Sequence, residues 1–169
     1  PLSTNSMSLV TSYISRGSAL GDVNGDGNSD TVFANEGVNH FCLGDGTGIF
    51  SNCSDISTEN YRSRVPALGD FDGDGNLDVV FANFFSPPTG QVNTLCLGDG
   101  AGGFSCSDLS LDTAYSLGAA SGDVNGDGNL DVVVANAFSE SAVYLGDGAG
   151  GFSRSTITGS GNFNSGVVL

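Results

Sequence analysis

The sequence predicts an all-β protein made of tandem antiparallel units, and three observations lead to that prediction. One acidic motif occurs three times, at spacings of 48 and 53 residues. Short runs rich in Val, Ile, Phe and Thr are bounded by Gly, Asn and Asp, which is the pattern of short strands joined by tight turns. Glycine occurs 27 times in 169 residues, and no stretch shows the apolar period of a long helix.

The internal repeat has two parts. The first is an acidic loop followed by an apolar run that ends in Ala-Asn, with copies at Asp22–Asp30, Asp70–Asp78 and Asp123–Asp131. The second is a Leu-Gly-Asp-Gly turn that ends in Phe, with copies at Leu43–Phe50, Leu97–Phe104 and Leu145–Phe152. Asp-Gly predicts a hairpin there, because Gly tolerates the positive φ that the turn requires. Each copy therefore predicts four strands: one entering the acidic loop, one leaving it, and two around the hairpin turn.

Four antiparallel strands at a period of about 50 residues are typical of a β-propeller blade. We therefore expect a partial or open array of three repeats, at residues 16–63, 64–117 and 118–162. Residues 1–15 are interpreted as the end of a preceding repeat, and 163–169 as the start of a following one. Propellers close with about four to eight blades, so we expect the segment to belong to a longer chain or to stack on copies of itself.

An aromatic residue stands eight or nine positions before each acidic loop, at Tyr13, Tyr61 and Tyr115. Phe163 occupies the same place before the expected fourth unit. This constant offset predicts equivalent strands whose aromatic side chains pack between neighbouring units.

The acidic loops have the composition of metal sites. Oxygen-bearing side chains fall at loop positions 1, 3, 5 and 9, and Gly at position 6 permits a sharp turn that directs the backbone carbonyl of position 7 inward. Such an irregular oxygen cage suits Ca²⁺, whereas Mg²⁺ demands a stricter octahedron and softer metals prefer thiolate or imidazole. We expect three Ca²⁺ sites, with ligands Asp22, Asn24, Asp26, Asn28 and Asp30; Asp70, Asp72, Asp74, Asn76 and Asp78; and Asp123, Asn125, Asp127, Asn129 and Asp131.

One copy of this motif would also be compatible with a plain hairpin turn. Three copies concentrate carboxylates that repel one another without a counter-ion, which favours metal binding. An EF-hand is excluded, because position 12 is Phe33, Phe81 or Val134 and not the bidentate Glu. For the lone Asp of each Leu-Gly-Asp-Gly turn, turn chemistry is favoured over metal binding; these residues are Asp45, Asp99 and Asp147.

Together, the acidic loop, the Val-rich run and the Leu-Gly-Asp-Gly-x-Gly-Gly-Phe turn resemble FG-GAP and VCBS-type repeats. The resemblance covers nearly the whole chain. It implies blades of an integrin-α-like β-propeller, an architecture also seen in fungal lectins and bacterial surface proteins. It further implies one calcium loop in each blade, with ligands at the positions named above.

The four cysteines fall in register with the repeats, since Cys42 and Cys53 flank the first hairpin turn and Cys96 and Cys106 flank the second. Three connectivities are possible, and spacings of eleven and ten are expected to place neither pair directly opposite without a bulge. Pairing within each hairpin is favoured over buried thiols, because both pairs bracket the same turn. Disulfides indicate an oxidising compartment, and hence an extracellular or cell-surface protein.

Charge excludes several functions. Lys and Arg total four against nineteen Asp and Glu, for a net charge of −15, which excludes a nucleic-acid footprint. No apolar run reaches the roughly 20 residues of a membrane helix, so no membrane insertion is expected.

The single histidine, His40, lies beside Phe41 in an expected strand and is interpreted as structural. No Ser can be paired with a base, so we expect no enzymatic activity.

The interpretation that follows is a calcium-stabilised extracellular structural or adhesive module, part of a larger surface protein, appendage or filament. Its expected partners are further repeats or copies of itself, together with extracellular protein or glycan. The alternative is a carbohydrate-binding lectin propeller, in which Tyr or Phe would form the sugar platform because Trp is absent.

Overall fold

The computed structural model describes residues 14–84 and 91–159. Several predictions fall outside these residues: the positions of Tyr13 and Phe163, the partial repeat at 163–169, and all but the last two residues of the partial repeat at 1–15.

The described residues form twelve strands and no helix. We call the first four strands unit 1, the next four unit 2 and the last four unit 3. Unit 1 contains β1 (Ile14–Gly21), β2 (Asp30–Gly37), β3 (His40–Gly44) and β4 (Phe50–Asp55). Unit 2 contains β5 (Tyr61–Gly69), β6 (Asp78–Asn83), β7 (Thr94–Gly98) and β8 (Phe104–Asp108). Unit 3 contains β9 (Tyr115–Gly122), β10 (Asp131–Ala137), β11 (Ser141–Gly146) and β12 (Phe152–Ile157).

Each strand pairs antiparallel with the next strand of its unit. Two short ladders join the units into one open sheet of twelve strands. In the first, Gly37 of β2 lies opposite Tyr61 of β5. In the second, β5 and β9 run parallel and meet at Val65 and Gly118. The all-β class predicted from the sequence is confirmed.

The hydrophobic core lies between the units. One cluster combines unit 1 side chains such as Val23, Val32 and Phe41 with Val79 and Phe81 of unit 2. A second combines unit 2 side chains with unit 3 side chains and is centred on Phe71, Val80, Leu95, Val132 and Val134. A strand exposes alternate side chains on opposite faces, so the middle unit contributes to both clusters.

The aromatic positions noted in the sequence are less buried than expected. Tyr61 and Tyr115 are both partly exposed. Tyr61 lies at the junction of units 1 and 2, where it pairs with Gly37. The Tyr115 ring packs edge-on against Phe84 and Phe138, with ring centroids 6.0 Å and 5.7 Å apart. Both residues border a neighbouring strand, but neither belongs to the two core clusters.

Both expected disulfides are present, Cys42–Cys53 across β3 and β4 and Cys96–Cys106 across β7 and β8. The first pair lies beside a bulge between Cys42 and Leu43, as expected. For the second pair, the expectation of a bulge is wrong. A separation of ten centres the hairpin on Ala101, so Cys96 and Cys106 face each other in regular register.

Candidate metal centre

The three acidic loops are shaped by hydrogen bonds from the backbone to their own carboxylates. In the second loop, Asp70 Oδ1 accepts from the N–H groups of Gly73 (2.8 Å) and Asp74 (3.1 Å), and Oδ2 accepts from Gly75 N–H (3.0 Å). Gly75 has φ of 90°, a left-handed conformation that strongly favours Gly. The first Asp of the other two loops, Asp22 and Asp123, accepts from the equivalent N–H groups.

The next two acidic positions continue this pattern. Asp72 Oδ1 accepts from Asp74 N–H at 3.1 Å, and Asp74 Oδ1 accepts from Asn76 N–H at 2.8 Å. The same bonds recur in the first and third loops, where Asn replaces Asp at position 3. Each loop is therefore a series of side-chain-capped turns, which explains why Asp and Asn alternate with Gly there.

The last Asp of each loop is fully buried and begins the following strand. Asp78 Oδ2 accepts from Phe71 N–H at 2.7 Å, and Oδ1 accepts from Gly98 N–H at 2.9 Å. The equivalent bonds of Asp30 run to Val23 and Gly44, and those of Asp131 run to Val124 and Gly146. All three carboxylates are 0% exposed. The two sequence motifs of each repeat are thus joined through one buried carboxylate.

Sequence reasoning missed the glycines whose N–H groups donate to these carboxylates, Gly44, Gly98 and Gly146. A Cβ added at Gly98 would collide with the backbone oxygen of Leu77, and the other two sites are equally tight. Only Gly allows the hairpin to approach the acidic loop this closely. The signal was present, since the same Gly precedes Asp-Gly in every repeat.

In the second loop these bonds bring Asp70, Asp72 and Asp78 together, with one oxygen from each within 4.8 Å of the others. Two oxygens bound to one Ca²⁺ lie at most about 5 Å apart, given bonds of about 2.3–2.6 Å. Burial raises the pKa of Asp78, and the charges of Asp72 and Asp74 raise it further, against the lowering effect of its two N–H donors. The donor set fits Ca²⁺, because a divalent cation would relieve this carboxylate repulsion.

The first and third loops present a mixed donor set. Their position 3 is Asn24 or Asn125, so the equivalent group has two carboxylates and one amide. Within the described residues, the second loop is accordingly the one place where three Asp, Glu, His or Cys side chains converge in this way. Ion binding at all fifteen named residues remains a prediction.

The side chains at positions 5 and 7 have further contacts. The amide of Asn76 donates to Asp74 Oδ2 at 2.8 Å. In the first loop, the Asn28 backbone N–H and then the Asn24 amide lower the pKa of Asp26. The position-7 side chains Asn28, Asn76 and Asn129 lie against Gly46, Gly100 and Gly148 of the hairpin turn in their own repeat.

The lone Asp of each hairpin turn serves the turn itself. Asp99 Oδ1 accepts from the N–H groups of Ala101 and Gly103, both at 2.8 Å, and these bonds lower its pKa. Asp147 makes the same two bonds, and Asp45 binds Thr47 and Ile49. This geometry is the turn chemistry that the sequence favours for these residues.

His40 lies away from the acidic loops, inside the sheet of unit 1. Its Nδ1 is 2.8 Å from the Asn35 amide nitrogen, and its ring centroid lies 5.2 Å from that of Phe33. Burial lowers the pKa of His40, which favours the neutral imidazole. These contacts are those of a structural histidine.

A family model for the FG-GAP-like repeat matches residues 22–81 and 123–169. The chain belongs to the FG-GAP-like repeat family. Both matches begin at the first Asp of an acidic loop, and together they span well over half of the chain. The family predicted from the two repeat motifs is confirmed.

Among solved structures, the chain is similar to an Agrocybe aegerita lectin whose structure is described as the basis of specific recognition of non-reducing terminal N-acetylglucosamine. The identity is 22% and the TM-score 0.58, over 82% of this chain and 37% of the lectin. At this identity the likeness concerns the fold, and the chain spans less than two fifths of the lectin's length. A comparison with curated protein sequences finds no match. Among the described residues, no helix has the length and apolar character needed to cross a membrane.

Proposed function

We propose that this FG-GAP-like segment is a calcium-stabilised structural or adhesive module of an extracellular protein. The observation that carries the proposal is the convergence of Asp70, Asp72 and Asp78, one of them fully buried. Carboxylates brought together at this distance repel one another unless a cation lies between them. The backbone bonds of the first and third loops follow the same plan, which supports one ion for each loop.

The residues of each loop would transmit the effect of the ion to the sheet. Bound Ca²⁺ would neutralise the loop carboxylates, and it would be held by the side chains at positions 1, 3, 5 and 9 and by the backbone carbonyl at position 7. The carboxylate of Asp78 would connect the ion to Phe71 in the loop and to Gly98 in the hairpin, because it accepts from the N–H groups of both residues. The binding energy of the ion would offset the conformational entropy that this Gly-rich segment loses on folding.

We also propose that the three units are blades of a β-propeller, in an array that continues through further repeats or other copies. The antiparallel order within each unit supports this, as does a core formed between units. An extracellular location is supported by the two disulfides, which form and persist in oxidising compartments.

A non-catalytic role is part of the proposal. The carboxylates of the acidic loops are engaged by backbone N–H groups, and His40 is held by Asn35 within the sheet. A structural or adhesive module requires none of these groups to transfer a proton.

Calcium titration of the metal-free protein tests the main proposal. We expect three Ca²⁺ ions per chain by isothermal titration calorimetry, and a melting temperature many degrees lower in excess chelator. The physical reason is that an ion bound only by the folded state stabilises it, by about 2.7 kcal/mol at a hundredfold excess over Kd. Mg²⁺ at the same concentration is the control and should restore less stability. Equal melting temperatures with and without chelator would refute the proposal.

The second candidate function is carbohydrate binding. The similarity to the Agrocybe aegerita lectin, which is described as recognising terminal N-acetylglucosamine, favours it. A glycan array that includes glycans with terminal N-acetylglucosamine separates the two functions. Saturable binding to a defined glycan class would support a lectin, whereas no binding at any glycan by the calcium-loaded protein would leave the structural module.

A further inference from the structure

The dipeptide Asn-Gly occurs twice in this chain, and both copies fall at positions 3 and 4 of an acidic loop. One is Asn24 with Gly25 in the first loop, and the other is Asn125 with Gly126 in the third. We call these the Asn-Gly sites. Asparagine deamidates most readily before Gly, because Gly has no Cβ to hinder the attack of its own nitrogen on the asparagine side chain. Two of the three acidic loops therefore contain a chemically labile position.

Deamidation needs water and no other reactant. The Gly nitrogen forms a bond to Cγ of the Asn and loses its proton, while the Cγ–Nδ2 bond breaks and the amide nitrogen takes up a proton and leaves as ammonia. Water then opens the resulting succinimide ring at either of its two carbonyls. One opening gives aspartate, and the other gives isoaspartate, which places an additional methylene in the backbone. Each event adds one negative charge to the loop.

The folded loop engages the attacking nitrogen. Gly25 N–H donates to Asp22 Oδ1 at 2.8 Å, and Gly126 N–H donates to Asp123 Oδ1 at 2.7 Å. Ring closure must bring this nitrogen to bonding distance of Cγ with its proton removed. The hydrogen bond to the first Asp of the loop is therefore lost when the reaction occurs.

The amide that would be attacked is held at both of its polar atoms. Asn24 Oδ1 accepts from Asp26 N–H at 3.1 Å, and Asn24 Nδ2 donates to Asp26 Oδ2 at 3.0 Å. Asn125 makes the same two bonds with Asp127, both at 2.8 Å. The side-chain amide can rotate freely toward the Gly nitrogen only after both bonds break.

Packing adds to these restraints in the first loop. A Cβ added at Gly25 would lie 3.1 Å from the backbone oxygen of Gly100, which belongs to the hairpin turn of unit 2. Val23, the residue before Asn24, is 1% exposed in the core cluster between units 1 and 2. Opening of the first loop therefore disturbs its packing against unit 2.

We propose that the Asn-Gly sites are modification sites that the hydrogen bonds of the closed loop keep unreacted, so that deamidation makes the opening of a loop permanent. The rate at each site then depends on the fraction of time that its loop is open. An aspartate product keeps the loop pattern, because Asp72 stands at this position in the second loop. An isoaspartate product shifts Gly25 or Gly126 away from its acceptor by the length of the additional methylene. The inference goes beyond the proposed function, because the protecting bonds come from the protein itself and not from an ion.

Peptide mass spectrometry tests the inference on the full chain. Samples are incubated at neutral pH in Ca²⁺, in chelator and in guanidinium chloride, and the peptides that contain Asn24 and Asn125 are followed for the replacement of NH₂ by OH. We expect both sites to react at least about tenfold more slowly in the folded protein in Ca²⁺ than in the denatured chain, because only an open loop reacts. Equal rates in these two samples would overturn the inference. The chelator sample, with circular dichroism, reports separately on the proposed calcium function.

Two single variants locate the protection within each loop. Asp22→Ala removes the acceptor of Gly25 N–H, so Asn24 should react at least about tenfold faster than in the wild type, the effect expected from losing a hydrogen bond to a charged group. Asn125 in the same molecule is the matched control and should stay slow. Asp123→Ala should produce the reverse pattern.

The same variants distinguish protection from catalysis. If the carboxylate of Asp22 instead removed the proton of Gly25 and promoted ring closure, Asn24 would react more slowly in Asp22→Ala, and the inference would be overturned. An unchanged rate at Asn24 in a folded Asp22→Ala chain would also overturn it. Should circular dichroism show that this chain does not fold, Asp26→Ala replaces it, because it frees Asn24 Nδ2 and should likewise accelerate Asn24 alone.

Discussion

At the scale of single residues, the function of each acidic loop depends on where each oxygen points. The two carboxylate oxygens of Asp70 accept hydrogen bonds from three backbone N–H groups of the loop. The carboxylate of Asp78 accepts one bond from the loop and one from the hairpin, and so bridges the two. Asp72 accepts one backbone bond and completes the carboxylate cluster. The loop is thus held in shape by the same side chains that we propose as ligands.

This division of roles predicts different costs for two conservative substitutions. Asp78→Asn places an amide NH₂ against one of two buried N–H donors, so one hydrogen bond is lost and a buried donor is left unsatisfied. We expect a loss of about 1–3 kcal/mol in the free energy of unfolding, measured by denaturant titration in Ca²⁺. Asp72→Asn is the matched control, because Asn already stands at this position in the other two loops. It should cost less than Asp78→Asn, because the amide oxygen of Asn can still accept from Asp74 N–H and can still serve as a calcium ligand. Equal costs for the two variants would contradict the bridging role of Asp78.

At the scale of elements, the hairpins of units 1 and 2 are each closed by a disulfide, whereas unit 3 has Tyr144 opposite Arg154 at the equivalent place. The two bridges differ in their surroundings. Cys96 is 0% exposed and, with the partly exposed Cys106, belongs to the core cluster between units 1 and 2, whereas Cys42 is 5% exposed and lies outside both core clusters. Cys53 is exposed on the outer strand of unit 1.

We therefore expect the two bridges to contribute unequally to stability. Closing a loop of ten or eleven residues is worth about 3 kcal/mol through the entropy of the unfolded chain, and both double variants should lose this. Cys96→Ala/Cys106→Ala should lose more than Cys42→Ala/Cys53→Ala, since it also leaves a cavity in the core. Thermal unfolding of both variants under non-reducing conditions measures the difference. A larger loss for the Cys42 and Cys53 variant would be inconsistent with the observed burial.

At the scale of the whole molecule, stability is shared between neighbours because the units build their cores jointly. Val32 and Val80 are fully buried against the next unit, and the two clusters contain side chains from both partners. Arrays of this kind gain their stability from interfaces between repeats as well as from each repeat. A substitution at one interface should therefore lower the stability of both units that form it.

Phe71→Ala tests this sharing. Phe71 is 1% exposed between units 2 and 3, and its truncation should cost about 3–5 kcal/mol, the usual range for a buried aromatic. We expect one cooperative unfolding transition that moves as a whole to lower denaturant concentration, as followed by circular dichroism. Val124→Ala, at the same loop position in unit 3, is the control and should have little effect, because Val124 is 47% exposed. Two separate transitions in the Phe71 variant would show that the units unfold independently.

Much of this architecture could be predicted from the residues alone, because it depends on local chemistry. The alternation of Asp or Asn with Gly predicts loops such as Asp70–Asp78, since those side chains cap their own turns. The matching positions of Cys42–Cys53 and Cys96–Cys106 around one turn predict the disulfides. The repeat length and strand pattern predict the all-β class. Each inference needs only residues that are close in sequence.

Other features depend on residues that are distant in sequence, and only the tertiary structure reveals them. The bond from Gly98 N–H to Asp78 spans twenty positions, and the contact of Phe71 with Phe152 spans two units. The partial exposure of Tyr61 was not predictable either, because a constant sequence offset does not report how much of a ring its neighbours cover. The exposure of Phe50 and Val124 is likewise visible only by comparison with equivalent positions in other units, where Phe104 and Phe71 are more buried. Local hydrogen bonding fixes the shape of each loop, whereas long-range packing decides how deeply each loop is buried among the described residues.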